Sequence, residues 1–303
     1  MEVIDIVKEK LSMFKNLYDS IRVVDPINKK VIKVNGDKVK AMEGTCYGLW
    51  KKNEYCRNCI SMRAYLENDT LLKMEFSEGE VMVITASPVT IEDKVYIVEM
   101  IKSVPKSGYI MNNEDNSYNV QSLLNQMNDA AIKDELTGIY NRRYINENLP
   151  IEMNNSRVYN QPLCVIMADL DFFKYVNDNY GHLVGDWVLR DFAKIILTSI
   201  RSNSDWVSRY GGEEFLIVLR NTDVHNGFKI AEKIRKLVEE HDFAYEGIEI
   251  KITASFGAYS IIDSDVKLTT DDIIKEADKN LYLAKNSGRN KTVINSESNW
   301  SCE

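Results

Sequence analysis

The chain has 303 residues, of which 44% are hydrophobic and 28% charged, the balance of a soluble globular protein long enough for two domains. A net charge of −8 argues against a general nucleic-acid binder, and no apolar run approaches the roughly 18 residues of a membrane span. The opening MEVIDIVKEK lacks a basic stretch ahead of an apolar core, so the expectation is a cytoplasmic protein with no membrane insertion, whose five cysteines stay reduced.

Residues 3 to 18 set Ile6, Val7, Leu11, Phe14 and Leu17 at helical intervals. IRVVDP and KKVIKV follow as two short strands around an Asp-Pro turn. EVMVITA (80–86) and KVYIVEMI (94–101) read as a later antiparallel pair closed by IEDK, with helical segments between the two pairs. This half is mixed α+β. The polar stretch SGYIMNNEDNSYN (107–119) has no apolar period and reads as a linker. Beyond it Val120, Leu123, Leu124, Met127 and Ala131 recur at helical spacing, a stripe too short for a coiled coil but suited to a connector helix.

Strands and helices then alternate. LCVIMA (163–168) predicts a buried strand with Asp169 at its carboxyl end. A helix is expected from about 186 to 200, with Val188, Phe192, Ile195 and Ile196 on one face. DWVSRY and EEFLIVL flank Gly211-Gly212 as a hairpin, and a helix follows at 226–239. IEIKITASFGA (248–258) reads as one strand, and a last helix spans about 271–286. Strands flanked by helices, with an antiparallel hairpin, give an α/β sandwich around a mixed sheet.

The hairpin tip poses a chemical question. RYGGEEF (209–215) puts two glycines beside two like charges. If the strand ending at Asp169 is a neighbour, Asp169, Glu213 and Glu214 converge, and converging carboxylates call for a hard cation such as Mg²⁺. Glycines without Cβ atoms let a phosphate chain approach the backbone. The alternative is a plain turn with solvated acids, and the tip alone leaves both open.

Three further stretches bear on it: DELTGIYNRR (134–143), DLDFFKYVNDNYGHLVGD (169–186) and ADKNLYLAKNSGRNK (277–291). With RYGGEEF they resemble, in order and spacing, the GGDEF family of diguanylate cyclases, over about residues 128 to 296. The resemblance implies an adenylyl-cyclase-like α/β (α+β) fold. It also implies an enzyme that joins two GTP into cyclic di-GMP with loss of pyrophosphate, using Mg²⁺, with Mn²⁺ as a substitute. By the same resemblance Asp169, Glu213 and the carbonyl of Leu170 hold the metal, and Glu214 assists a second ion. Glu213 doubles as the base for the 3′-hydroxyl, and Lys174 stabilises the transition state. Asn177 and Asp186 read guanine, His182 makes a further substrate contact, Gly211 and Gly212 admit the phosphates, and Lys285 and Arg289 bind them. A carboxylate can accept from the N1 and N2 donors of guanine, which adenine lacks. Lys174, His182, Lys285 and Arg289 would each pass as ordinary surface or helix-end residues without the motifs. A rival within the family is a domain that binds GTP or cyclic di-GMP without turning over; another is a dimerisation module. Two GTP must meet face to face, so a homodimer is expected.

One departure concerns product control. Family members often carry Arg-x-x-Asp before the turn; here Asp205 keeps the Asp position, Ser202 stands at the Arg position, and Arg201 is one residue off. In the first half, GTCYGLWKKNEYCRNC (44–59) resembles a PAS-like sensory fold carrying Cys-Tyr and Cys-x-x-Cys. Cys46, Cys56 and Cys59 are three thiols, one short of a closed Cys₄ site, and all three histidines lie beyond residue 180. A redox pair, a metal completed by another ligand, and plain packing all remain open there, and any cofactor is unknown. Cys164 reads as core and Cys302 as terminal. The expected organisation is a PAS-like domain (1–106), linker and connector helix (107–127), cyclase domain (128–296) and tail (297–303).

Overall fold

The computed structural model describes residues 18–35, 38–50, 56–77, 80–91, 93–104, 117–261 and 268–294. The expected first helix, most of the linker, the IEDK turn in part and Cys302 lie outside them. The chain divides into two compact units, Met1–Ala131 and Ile132–Glu303.

The first unit is built on an antiparallel sheet. Its strands are β1 (Ser20–Asp25), β2 (Lys30–Asn35), β3 (Lys38–Thr45), β4 (Leu71–Ser77), β5 (Glu80–Ile91) and β6 (Lys94–Val104), in the order β3-β2-β1-β6-β5-β4. The two predicted pairs are there, β1 with β2 and β5 with β6; β3 and β4 are additional. Helix α1 (Ile60–Glu67) sets Ile60 and Ala64 into a cluster with Val24, Ile84, Ala86, Ile97 and Ile101. Helix α2 (Ser117–Ile132) includes the predicted stripe from Val120 to Ala131. Leu124 is buried with Val81, while Leu123 and Met127 are exposed.

The second unit has a five-stranded sheet made from β7 (Leu163–Leu170), β8 (Trp206–Gly211), β9 (Glu214–Arg220), β12 (Ala254–Ile261) and β13 (Thr292–Ile294), ordered β13-β12-β7-β9-β8. β7 is central and buried along its whole length, as a continuous apolar run predicts. Its alternate residues Cys164, Ile166, Ala168 and Leu170 join a core supplied by helices α5 (His182–Ser199) and α6 (Val224–Glu240). Cys164 is fully buried, its thiol pushed up to about 12 by burial. Helix α3 (Arg142–Tyr159), absent from the sequence reading, begins at an Asn141 cap whose side chain accepts from the Tyr144 N–H. Helix α4 (Phe173–Tyr180) follows β7 after two residues. Helix α7 (Thr270–Asn286) starts on a capping box between Thr269 and Asp272.

The expected single strand at 248–258 is a correction. It breaks at residues 251–253: β11 (Ile248–Ile250) pairs only with β10 (Phe243–Tyr245) in a separate ribbon, and β12 alone enters the main sheet. The cause is a change of partner: Thr253 still continues the β12 register on β7, its carbonyl accepting from the Asp171 N–H at 2.8 Å, whereas Ile248–Ile250 is taken up by Phe243–Tyr245.

Gly257 lies where α7 crosses β12. A Cβ there would stand 2.0 Å from the Leu281 amide nitrogen and 2.3 Å from the Ala277 carbonyl oxygen, both backbone atoms that cannot swing away. Gly257→Ala should therefore cost about 3 kcal/mol or more, at the upper end for overpacking. Urea denaturation measures it, and a loss below about 1 kcal/mol would show that helix and strand are not in this close contact.

Candidate functional site

The ends of β7, the β8–β9 hairpin and α7 meet at one edge of the second unit. Register puts Asp169 opposite Glu214 on one side and opposite Ser255 on the other. Because side chains alternate, Asp169 leaves the sheet on the face away from Cys164, Ile166 and Ala168. There Lys285, in the last turn of α7, meets its Oδ2 at 2.8 Å. Asp169 is only 5% exposed. Burial, with Glu213 and Glu214 adding like charge, drives its carboxyl up to about 6 despite Lys285. Glu214 is pushed up as well, chiefly by burial, with Lys285 and Arg142 opposing.

The tip is held from below. Gly212 has φ +52, a left-handed conformation that glycine adopts cheaply. Arg209 donates from Nε to the Gly212 carbonyl at 2.8 Å and from a terminal nitrogen to the Asp134 carboxylate at 3.3 Å. Asp134 also caps its own turn, accepting from the Thr137 N–H and hydroxyl. Burial raises its carboxyl, but the Thr137 bonds and Arg209 outweigh that and hold it below the usual range. DELTG thus works as a brace for the hairpin. Sequence reading missed that link, because Asp134 and Arg209 are 75 residues apart.

Asp171 was also missed. It is buried at 2% exposure, and its carboxylate accepts from the Thr253 hydroxyl (2.7 Å), the Ser255 hydroxyl (2.7 Å) and the Asn290 N–H (3.0 Å). The only signal was the repeated acid of DLD.

The remaining predicted residues fall as follows. Leu170 is buried and ends β7; Lys174 sits exposed on the first turn of α4, and Asn177 on its second. Gly181, with φ +85, separates α4 from α5. His182 is exposed at the start of α5, which begins four residues before the expected boundary, and Asp186 is half-buried one turn on. Gly185 makes room for Asn177, since a Cβ there would meet Asn177 Oδ1 at 1.9 Å. Gly211 and Gly212 are exposed. Arg289 lies with its guanidinium 4.4 Å from the centre of the exposed Phe172 ring.

Asp205 is committed to the fold. Arg201 grips it bidentately, both bonds 2.8 Å, and the Arg201 N–H (3.1 Å), the Ser204 hydroxyl (3.1 Å) and the Arg220 N–H (3.2 Å) also donate to it. Ser202 is exposed beside this pair.

Among the described residues, no three His, Cys, Asp or Glu side chains are grouped so as to ligate a metal ion as they stand. The donor set at Asp169 nonetheless suits one: oxygen ligands only, one carboxyl driven up chiefly by burial with its like-charged neighbours adding, and an excess of negative charge over Lys285. In the first unit Cys46, Cys56 and Cys59 line one small cavity of about 20 Å³, room for roughly one water, together with Arg22, Ser61 and Glu99. None of these cysteines is in a disulfide. Burial, with Cys59 adding, pushes the Cys46 thiol up to about 12, so it is not poised as a thiolate.

The family model for "Diguanylate cyclase, GGDEF domain" matches residues 131–291. Among curated proteins the chain is similar to Diguanylate cyclase A of Treponema denticola, 43% identical over 142 residues, covering 47% of this chain and 38% of the relative. It is similar to the response regulator PleD of Caulobacter vibrioides, 35% identical over 187 residues, 61% of this chain and 38% of the relative. The chain therefore spans less than two fifths of these relatives' length. Among solved structures it resembles the coiled coil and GGDEF domain of DgcB from Caulobacter crescentus in complex with c-di-GMP (25% identity, TM-score 0.54, 58% of this chain and 92% of that one). It also resembles the diguanylate cyclase SiaD of Pseudomonas aeruginosa in complex with its activator SiaC (34% identity, TM-score 0.53, 58% and 66%). No described helix is long and apolar enough to cross a membrane.

Arg201 tests the Asp205 pairing. Its loss leaves a carboxylate whose side chain is 0% exposed without its main partner. Arg201→Ala should cost roughly 3 kcal/mol in urea denaturation, and adding Asp205→Asn should recover part of it. If Arg201→Ala is within about 0.5 kcal/mol of wild type, the pair is not structural.

Proposed function

The chain belongs to the GGDEF diguanylate cyclase family, and we propose from that premise that it condenses two GTP into cyclic di-GMP with release of pyrophosphate. The observation that carries the reading is the register of Asp169 against Glu214, beside Glu213, with Lys285 on the same carboxylate. Uncompensated acids at a glycine tip are costly in a plain turn and useful in a site for a metal nucleotide.

Asp169, Glu213 and the Leu170 carbonyl would hold Mg²⁺, with Glu214 assisting. When bound, the ion offsets charge on the phosphates and on the leaving pyrophosphate. The chain's own residues do the rest. Glu213 accepts the proton of the incoming 3′-hydroxyl as that oxygen attacks the α-phosphorus. Lys174, exposed on the first turn of α4, meets the charge that develops on the equatorial oxygens. Lys285 exchanges part of its hold on Asp169 for the phosphates, and Arg289 binds them one turn further. Asn177 and Asp186 take the guanine edge, and His182 adds a contact.

One such unit holds one GTP, so the reaction needs two half-sites and a homodimer. The exposed Leu123 and Met127, one turn apart on α2, are the surface we assign to that pairing. We read the first unit as a PAS-like sensor acting on how often the half-sites meet, with its three-cysteine cavity as the place a signal enters. An antiparallel sheet with β1 flanked by β2 and β6 and a helix on one face supports that reading. With Asp205 already engaged by Arg201, product should inhibit weakly through this position.

The test is conversion of GTP by the purified chain with Mg²⁺. Glu213→Gln should cut cyclic di-GMP formation roughly 100-fold or more while the melting temperature holds. Turnover near wild type in that variant would remove Glu213 from the reaction. Asp186→Ser should narrow the preference for GTP over ATP in competition. Gly185→Ala probes the base pocket differently. Its methyl displaces the Asn177 side chain and crowds the Phe173 ring at 3.2 Å, so KM for GTP should rise roughly tenfold, with some loss of melting temperature from the core contact. An unchanged KM would show that Asn177 does not bind the base.

A further inference from the structure

Phe172 is an expensive residue in its place. It has φ +58, a left-handed conformation that is a genuine outlier for a bulky side chain. It is 66% exposed, so its ring gains little from burial, and it gives α4 no side-chain cap. Its one described partner is Arg289, whose Cζ lies 4.4 Å from the ring centre.

The neighbouring residues repeat the contact in another form. Asp171 accepts the Asn290 N–H at 3.0 Å, so the consecutive pair 171–172 grips the consecutive pair 290–289. Arg289 and Asn290 are themselves left-handed, with φ +60 and +44, just past the end of α7. Their conformation is thus held from β7's side of the site, because Asp171 is fixed in turn by Thr253 and Ser255.

Stacking has a chemical advantage over an ion pair at this position. A carboxylate would occupy the guanidinium's N–H fork and cancel its charge. A ring face engages the plane of the guanidinium and leaves its five N–H donors directed outward. Among the described residues no carboxylate pairs with Arg289. Lys285, four residues earlier, is by contrast spent on Asp169 at 2.8 Å.

We propose that Phe172 is a positioning residue: its ring holds Arg289 in a fixed rotamer with the fork open for the terminal phosphates of a nucleoside triphosphate. This rests on the cyclase reading above. The backbone strain at Phe172 is tolerated because the aromatic ring is needed at that point, and an asparagine, which suits the backbone better, would lose it.

The experiment is steady-state GTP kinetics on the full chain with Mg²⁺, alongside melting temperatures. Phe172→Leu should raise KM for GTP roughly two- to five-fold with a smaller change in kcat, the scale of an exposed cation–π contact. Phe172→Tyr, which keeps a ring, should retain the wild-type KM. In an Arg289→Ala background Phe172→Leu should add nothing further. Phe172→Asn should hold or raise the melting temperature yet raise KM, which a merely structural residue would not do. A wild-type KM in Phe172→Leu, or the same rise with and without Arg289, overturns the proposal while leaving the cyclase reading intact. A wild-type chain that neither binds nor converts GTP defeats both.

Discussion

Asp169 is a carboxylate that the fold buries at the end of its central strand beside two more acids. At an effective dielectric near 20, unit charges about 4 Å apart interact by roughly 4 kcal/mol. One lysine can offset one such acid, not three. Lys285 takes the Asp169 oxygen, yet the carboxyl still rises to about 6. Much of the second unit follows from keeping this arrangement in place. β7 must be central to bring its end out between two neighbours, and α7 must cross close enough for its last turn to reach over. Gly257 permits that crossing, because Leu281 and Ala277 leave no room for a side chain there.

The other buried acids behave differently, and the contrast separates structure from chemistry. Asp171 has three donors and Asp205 is gripped by Arg201 and the Arg220 amide. Asp134 is held low by Thr137 and Arg209 against the push of burial, and Asp25 is likewise held low, by Asn28 and Lys94. Each of these is satisfied from within the chain, as buried polar groups ordinarily are. Asp169 and Glu214 are driven up instead. Acids that the fold completes serve as pins; those it leaves short of positive charge are where the function proposed above puts a cation and a phosphate.

Local patterns made much of the second unit legible. The apolar run before Asp169, the Gly-Gly tip and the helical stripe from 271 each carry their own period or turn chemistry, and each element formed where that chemistry put it. What escaped depends on contacts distant in sequence. The break at 251–253 follows from Ile248–Ile250 pairing with β10 while β12 pairs with the distant β7, a change of partner that the apolar pattern of 248–258 does not show. Helix α3 has Pro150 inside it and a polar composition, so its period is weak and its stability comes from packing, as with Tyr144 against Trp206. Asp134 and Arg209 each look ordinary alone. In the first half the three thiols were visible as a motif, but that they share one cavity with the Arg22–Glu99 pair follows only from how β1, β6 and α1 pack.

Backbone strain marks the same edge of the sheet as the uncompensated charge. Nine described non-glycine residues have positive φ, and five of them are Asn or Asp, which tolerate it in turns. Phe172 is the only aromatic in the set, and Arg289, its partner, is another member. Strain scattered over loops would say little about function. Here a bulky left-handed residue directly follows Asp171, three residues after the buried Asp169, and its ring meets a cation one turn beyond Lys285. A chain relieved of selection for chemistry would lower its energy by replacing Phe172 with Asn and Asp169 with an apolar residue. That both departures sit together, each held by well-satisfied neighbours, is what the proposed binding edge requires and what stability alone does not.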